Sequence, residues 1–216
     1  MTETGSPAGS ANLIGVLISG RGSNLVAILD RIASGDLDAR VAVVLCDEPR
    51  AAGIETARAR GCDVVVLDHR DSATREEHDR LMVAALEERG VALVCLAGYM
   101  RRLSPWFIGR FPGRILNIHP SLLPAFPGLG VQKAALLHGV RWSGCTVHFV
   151  DEGLDSGPIL LQAPVPVQDG DTVESLTARI LVEEHRLYSR AIALFFSGRL
   201  RRDGRRVFGA GDPSRD

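Results

Sequence analysis

The sequence predicts an α/β fold: a mostly parallel, twisted sheet of about six or seven strands, with helices on both faces and antiparallel later strands. Three observations carry that prediction. Short apolar runs of strand type alternate with helical patterns through the N-terminal half, as in successive β-α-β units. Val91–Ala97 is apolar throughout, which suits a central strand buried on both sides. The first run, Leu13–Ile18, passes directly into Ser19, Gly20, Arg21, Gly22, Ser23 and Asn24 and then into a helical pattern, a strand, glycine-rich turn and helix.

In order, that first helix shows its apolar face at Leu25, Ile28, Leu29 and Ile32. Val41–Cys46 is the second strand, Ala51–Arg60 a short helix ended by Gly61, and Asp63–Leu67 a third strand. Thr74, with Glu77 three residues on, forms a capping box for a helix whose apolar face is Leu81, Met82, Ala85 and Leu86, up to Gly90. The Val91–Ala97 strand ends in Gly98, Tyr99, Met100, Arg101, Arg102 and Leu103, where residue type alone makes the two arginines a solvated pair at a helix entrance. Ile115–Ile118 is a short buried strand that Pro120 ends, because proline has no N–H for the ladder. Val131–His138 is a short helix stopped by Gly139. Trp142–Val150 alternates, with Cys145, Val147 and Phe149 on one face and Thr146, His148 and Val150 on the other; Ile159–Val167 is the last strand. Asp171 is expected to cap the longest helix with Glu174 at its third position, an inward stripe of Val173, Leu176, Ile180, Leu187, Ala191 and Leu194, and Gly198 as the stop. Arg199, Arg201, Arg202, Arg205 and Arg206 read as a solvated basic edge. Residues 1–11 are expected to form a disordered tail, 12–208 a single domain and 209–216 a flexible tail.

Composition narrows the function. The 216 residues are 45% hydrophobic but only 5% aromatic, so the core is built mainly from Ala, Val, Leu and Ile. A formal charge of -1 gives no electrostatic footprint for nucleic acid, and no apolar run approaches a membrane span. Cys46, Cys62, Cys95 and Cys145 are too far apart for a zinc motif or a disulfide framework, which fits a reducing cytoplasm. Asp151–Gly157 concentrates carboxylates without the order of a calcium loop and reads as an exposed turn. No metal is expected.

Three places can carry chemistry. Asn117 and His119 alternate on one strand and so share a face, at the carboxyl end where open α/β sheets hold their ligands. An amide beside an imidazole suits reaction at a carbonyl, although a hydrogen-bonded histidine closing a strand explains the same spacing. The turn Ser19–Asn24 opens a helix and can cradle an anion; a tight βα turn and a dinucleotide fingerprint helped by Asp47 are the alternatives, the latter weakened by Leu25 where a third glycine belongs. On the last helix, Glu183 or Glu184 falls at the boundary of an apolar face, where an unpartnered carboxylate is costly and a polar ligand or a salt bridge would relieve it.

The run Asn117-Ile118-His119-Pro120-Ser121-Leu122-Leu123-Pro124, with Pro127-Gly128 after it, resembles the signature of the folate-dependent formyltransferases and their hydrolase relatives. Together with Ser19–Asn24 and Glu183-Glu184-His185-Arg186-Leu187-Tyr188, it is most similar to the phosphoribosylglycinamide formyltransferases, over roughly Leu13 to Leu200. The resemblance implies a Rossmann-like formyltransferase fold and transfer of a formyl group from the co-substrate 10-formyltetrahydrofolate to the amine of glycinamide ribonucleotide in de novo purine biosynthesis. It implies His119, Asn117 and Asp155 as catalytic residues, and Gly22, Ser23 and Asn24 on the phosphate with Glu184 on the ribose. Arg75, Met100, Arg101, Arg102, Leu103 and Asn117 would hold the folate. His148 resembles a histidine kept near that pocket, a cis Leu123–Pro124 bond is expected, and the role of Arg21 stays open because some relatives carry Asn there. The partners implied are small molecules, with a homodimer left open. A formyltetrahydrofolate hydrolase, which would use water in place of the amine, is the alternative within the family. A methionyl-tRNA formyltransferase would need a further C-terminal domain. A non-enzymatic dinucleotide-binding module would have no use for Asn117 beside His119.

Overall fold

The computed structural model describes residues 12–211. The tail expected over residues 1–11, and residues 212–216 of the one expected at the C-terminus, lie outside the described residues. The elements follow the predicted alternation: β1 (Leu13–Ile18), α1 (Ser23–Ala33), β2 (Arg40–Cys46), α2 (Ala52–Ala59), β3 (Val64–Val66), α3 (Arg75–Glu88), β4 (Leu93–Leu96), α4 (Pro105–Arg110), β5 (Ile115–His119), α5 (Val131–His138), β6 (Trp142–Phe149), β7 (Ile159–Pro166), α6 (Val173–Phe196), β8 (Arg201–Asp203) and β9 (Arg206–Phe208). Seven strands form one mostly parallel sheet in the order β3-β2-β1-β4-β5-β6-β7, and β8 and β9 form a separate two-stranded sheet.

By compactness the described chain divides after Asn117. In the first unit β1 pairs in parallel with β2 and β4, β2 with β3, and β4 with the opening of β5. Every residue of β4 is buried, as its unbroken apolar sequence requires. Helix α3 lies close to β1 at Gly15, where a Cβ would come 2.3 Å from a Leu86 methyl. Its start is the predicted capping box: the Thr74 hydroxyl accepts the Glu77 N–H at 3.2 Å, and the Glu77 carboxylate accepts the Thr74 N–H at 3.1 Å. Helix α4 is added beyond the predicted entrance; Ser104 caps it and Pro105 occupies its first position.

In the second unit β6 and β7 are antiparallel, and α6 packs on both. Three expectations change here. Thr172, not Asp171, caps α6, in a capping box with Ser175. Asp171 is engaged elsewhere: it accepts the Gln168 N–H and pairs with Arg179, leaving the next hydroxyl to cap the helix. Val173, expected to start the inward stripe, is 36% exposed, whereas Leu176, Ile180, Leu187 and Ala191 are buried. The basic edge is exposed at Arg199, Arg201, Arg205 and Arg206, as expected, but Arg202 is half-buried. Arg201 pairs across the β8–β9 hairpin with Phe208, and the guanidinium groups of Arg201 and Arg206 lie 4.4 and 4.9 Å from that ring's centroid. Strand β6 is buried on both faces from Ser143 onward, so its alternation separates two buried faces. The Leu123–Pro124 bond is cis, as expected.

Candidate active site

The second unit assembles its site around His119, which ends β5 and is 4% exposed. Nε2 of the imidazole lies 2.9 Å from the carbonyl oxygen of Phe126, and Nδ1 lies 3.4 Å from Oδ2 of Asp155. A carbonyl and an ionised carboxylate can only accept, so this arrangement is fully satisfied when both ring nitrogens carry hydrogen, that is, by the imidazolium. Oδ2 of Asp155 also accepts the Gly128 N–H at 2.8 Å, which ties the loop after Phe126 to the same carboxylate.

A second imidazole approaches Asp155 from β6, with Nε2 of His148 3.8 Å from Oδ1. Its Nδ1 donates to the Phe149 carbonyl at 2.9 Å. Burial holds the His148 pKa below its ordinary value, so this ring is neutral near pH 7 and bears no hydrogen on Nε2 to give Asp155. The two histidines face the same carboxylate from different strands, His119 from the end of β5 and His148 from β6.

Both groups that touch His119 sit on strained backbone. Phe126 (φ 51°) and Asp155 (φ 48°) are the two non-glycine residues with positive φ among the described residues. That conformation costs on the order of 1–2 kcal/mol for an L-residue, and such strain gathers at functional sites. It turns the Phe126 carbonyl and the Asp155 side chain onto one ring. Glu184, the predicted ribose ligand, comes from α6 and is 7% exposed. The Cys145 thiol is pushed up to about 12, first by its own burial and then by the Glu184 charge.

In the first unit, Gly22 turns the chain out of β1 with φ 74° and serves as the N-cap of α1, which has no side-chain capping bond. A glycine at the N-cap offers the early N–H groups of α1 no side chain of its own, as an anion cradle requires. Ser23 is half-buried and Asn24 buried at the head of this helix. The turn is backed by Gly53 of α2, whose N–H donates to the Gly20 carbonyl at 3.0 Å; a Cβ on Gly53 would come within 2.7 Å of that oxygen. Ser19 joins the turn to the loop after β4, giving its N–H to the Gly98 carbonyl and accepting the Met100 N–H on Oγ at 2.9 Å.

That loop divides by exposure. Met100 is 62% exposed, Arg102 exposed and Arg101 half-buried, whereas Leu103 is 7% exposed and belongs to the core. Arg75 is exposed at the first position of α3. Asn117 is half-buried, the one residue of β5 that is not buried. The structure thus brings His119 and Asp155 together in one unit, and joins the turn leading to Gly22 with Met100 in the other. Sequence reading missed the Phe126 carbonyl, the Gly128 amide and Gly53, because backbone groups carry no residue-type signal. Among the described residues no three His, Cys, Asp or Glu side chains are grouped to hold a metal ion.

Residues 13–192 match the family described as formyl transferase. The chain is 43% identical over 186 residues to the phosphoribosylglycinamide formyltransferase of Escherichia coli (strain K12), covering 86% of this chain and 88% of that protein. It is 47% identical over 191 residues to the trifunctional purine biosynthetic protein adenosine-3 of Drosophila pseudoobscura pseudoobscura, 88% of this chain but only 14% of that much longer protein. Its structure matches the crystal structure of glycinamide ribonucleotide transformylase 1 from Symbiobacterium toebii with a TM-score of 0.90 at 56% identity, over 92% of this chain and 94% of that one.

Proposed function

The chain belongs to the formyl transferase family, and from that premise we propose that it transfers a formyl group from 10-formyltetrahydrofolate to the amine of glycinamide ribonucleotide in de novo purine biosynthesis. The observation that carries this reading is the His119 ring, with a carbonyl at one nitrogen and a carboxylate at the other.

The glycine amine attacks the formyl carbon; the new C–N bond forms as the carbonyl electrons move onto oxygen. The positive charge of His119 and the amide N–H of Asn117 stabilise that oxyanion. A reactant that takes the Nε2–H of His119 does so in competition with the Phe126 carbonyl. The attacking nitrogen loses a proton, N10 of the folate gains one, and the C–N10 bond breaks to release tetrahydrofolate and the formylated ribonucleotide. Asp155 stays ionised and holds the imidazolium. Gly22, Ser23 and Asn24 receive the phosphate and Glu184 the ribose hydroxyls. Arg75, Met100, Arg101, Arg102, Leu103 and Asn117 receive the folate, with Leu103 acting from the buried side of its loop. No metal takes part.

The same reading makes residues 12–208 one formyltransferase domain of the cytoplasm, with small-molecule partners. Among the described residues no helix is long and apolar enough to cross a membrane. Incubation with 10-formyltetrahydrofolate, with and without glycinamide ribonucleotide, tests the reaction. Tetrahydrofolate should appear only when the ribonucleotide is present; release without it would make the protein a hydrolase.

A further inference from the structure

One polar network in the second unit touches neither His119 nor Asp155, yet fixes the loop that does. Thr146, fully buried in β6, uses its hydroxyl three times: it accepts the Leu123 N–H at 3.0 Å and a Gln162 side-chain N–H at 3.0 Å, and donates to the Ser121 carbonyl at 2.7 Å. Gln162, its register partner on β7, donates also to the Leu123 carbonyl at 2.8 Å. Two strand side chains thereby take up the N–H and C=O of Leu123 and the C=O of Ser121.

From there the connections run to the imidazole. The Ser121 hydroxyl donates to the Ala125 carbonyl at 2.6 Å and lies 3.1 Å from the Phe126 carbonyl, the oxygen that accepts from His119. The loop also rests on β6 one pleat back: a Cβ on Gly144 would come 2.9 Å from a Leu122 methyl. Gly144, Thr146 and His148 share one face of β6. Along that face the strand meets Leu122, then the backbone of Ser121 and Leu123, then Asp155.

A buried hydroxyl is costly unless its partners are made, and here two of its three hydrogen bonds go to one loop and the third to Gln162, which binds the same loop. The left-handed Phe126 needs surroundings that hold it, since strained backbone persists only where neighbouring structure fixes it. We propose that Thr146 and Gln162 are positioning residues for His119, acting through the Ser121–Phe126 loop and not on the reactants. The proposal rests on the reading of His119 as the group that stabilises the oxyanion. Thr146→Val keeps the volume and removes the clamp, Thr146→Ser keeps the hydroxyl, and Gln162→Ala removes the second arm.

The test combines kinetics with nitrogen-15 spectra of labelled histidine. In Thr146→Val, kcat should fall roughly tenfold to a hundredfold, the size of loss expected when a reacting group is displaced by remote change. KM for the ribonucleotide should stay within about twofold, because no proposed ribonucleotide contact is altered. The Nε2 resonance of His119 should lose its hydrogen-bonded position, and Thr146→Ser should restore both kcat and spectrum. Gln162→Ala, at an exposed site, should show the same change more weakly and carries the test alone if Thr146→Val does not fold. Folded Thr146→Val or Gln162→Ala with wild-type kcat and an unchanged His119 spectrum would overturn the proposal. If the wild-type protein transferred no formyl group, the reading of the reaction would fail, and the spectra would still decide whether the clamp holds the imidazole.

Discussion

Gly53 shows how much a missing side chain can control. Its Cα supports the Gly22 turn from α2, and a single methyl there would meet the Gly20 carbonyl, a backbone atom that cannot rotate away. Gly53→Ala should therefore push the turn out of place. A displacement costing on the order of 1.4 kcal/mol, within the usual range for overpacking, is tenfold in affinity. Calorimetry should show the ribonucleotide Kd raised about tenfold or more while folate affinity stays near wild type; equal loss of both would indicate general damage. Thiol chemistry gives a second residue-level expectation. Cys145 is buried with its pKa pushed up to about 12, first by burial, so it should resist alkylation at pH 8 in the native protein, whereas half-buried Cys62 should react faster. Peptide mapping after brief alkylation decides, and early labelling of Cys145 would contradict the burial argument. At this scale the sequence was most informative where chemistry resides in side chains. Asn117 and His119 are two residues apart, so the strand period alone places them on one face. Asp155 is distant in sequence, and only the resemblance pointed to it. The Phe126 carbonyl was not legible at all, because every residue has a carbonyl and its direction depends on a left-handed backbone.

Among the elements, those with long periodic patterns and reciprocal caps were read correctly. α3 is the clearest case, since Thr74 and Glu77 satisfy each other's backbone partners within a few residues. α6 illustrates the opposite, because Asp171 and Thr172 are adjacent and both can cap. A distant arginine decides between them: Arg179 draws the Asp171 carboxylate away, and no local pattern shows it. Thr172→Ala should accordingly destabilise the fold by about 1 kcal/mol, the ordinary worth of an N-cap hydroxyl. Glu174→Ala, which leaves the reciprocal Thr172–Ser175 capping box in place, should fall within about 0.5 kcal/mol of wild type. Denaturant melts of both variants check the assignment, and the reverse ranking would return the cap to the acidic positions. The β8–β9 hairpin escaped detection because three-residue strands show too little alternation, and because arginines that pack on Phe208 look like solvated charge when counted by residue type.

For the molecule as a whole, two buried histidines give stability opposite dependences on pH. In the first unit the Asp79 carboxylate, 3.9 Å from Nδ1, raises the His78 pKa against the effect of burial. Its contribution is fully present below the unfolded value of about 6.5 and is lost as pH rises through the raised folded value. In the second unit burial lowers the His148 pKa, so stability is lost as pH falls below about 6.5, where the unfolded chain binds a proton that the native ring refuses. His78→Gln should thus cost more stability at pH 5.5 than at pH 8, and His148→Gln less at pH 5.5 than at pH 8; urea midpoints at the two pH values give the comparison. The α/β class and the order of the longer helices and strands were legible from periodicity, since they follow from local pattern summed along the chain. The pairing of His119 with Asp155 lies in no local pattern; the resemblance implied it, and the structure gives its distance of 3.4 Å. That pairing is also the centre of the functional account, and Asp155→Asn tests it most directly, because it keeps the side chain's shape and removes its charge. The measurement is the kcat of ribonucleotide-dependent formyl transfer beside the calorimetric affinity for the ribonucleotide. The account predicts a fall in kcat of about 10²- to 10⁴-fold, as for loss of a positioned acid–base group, with affinity nearly unchanged. Turnover close to wild type in the Asn variant would contradict it and leave Asp155 as a residue of the loop alone.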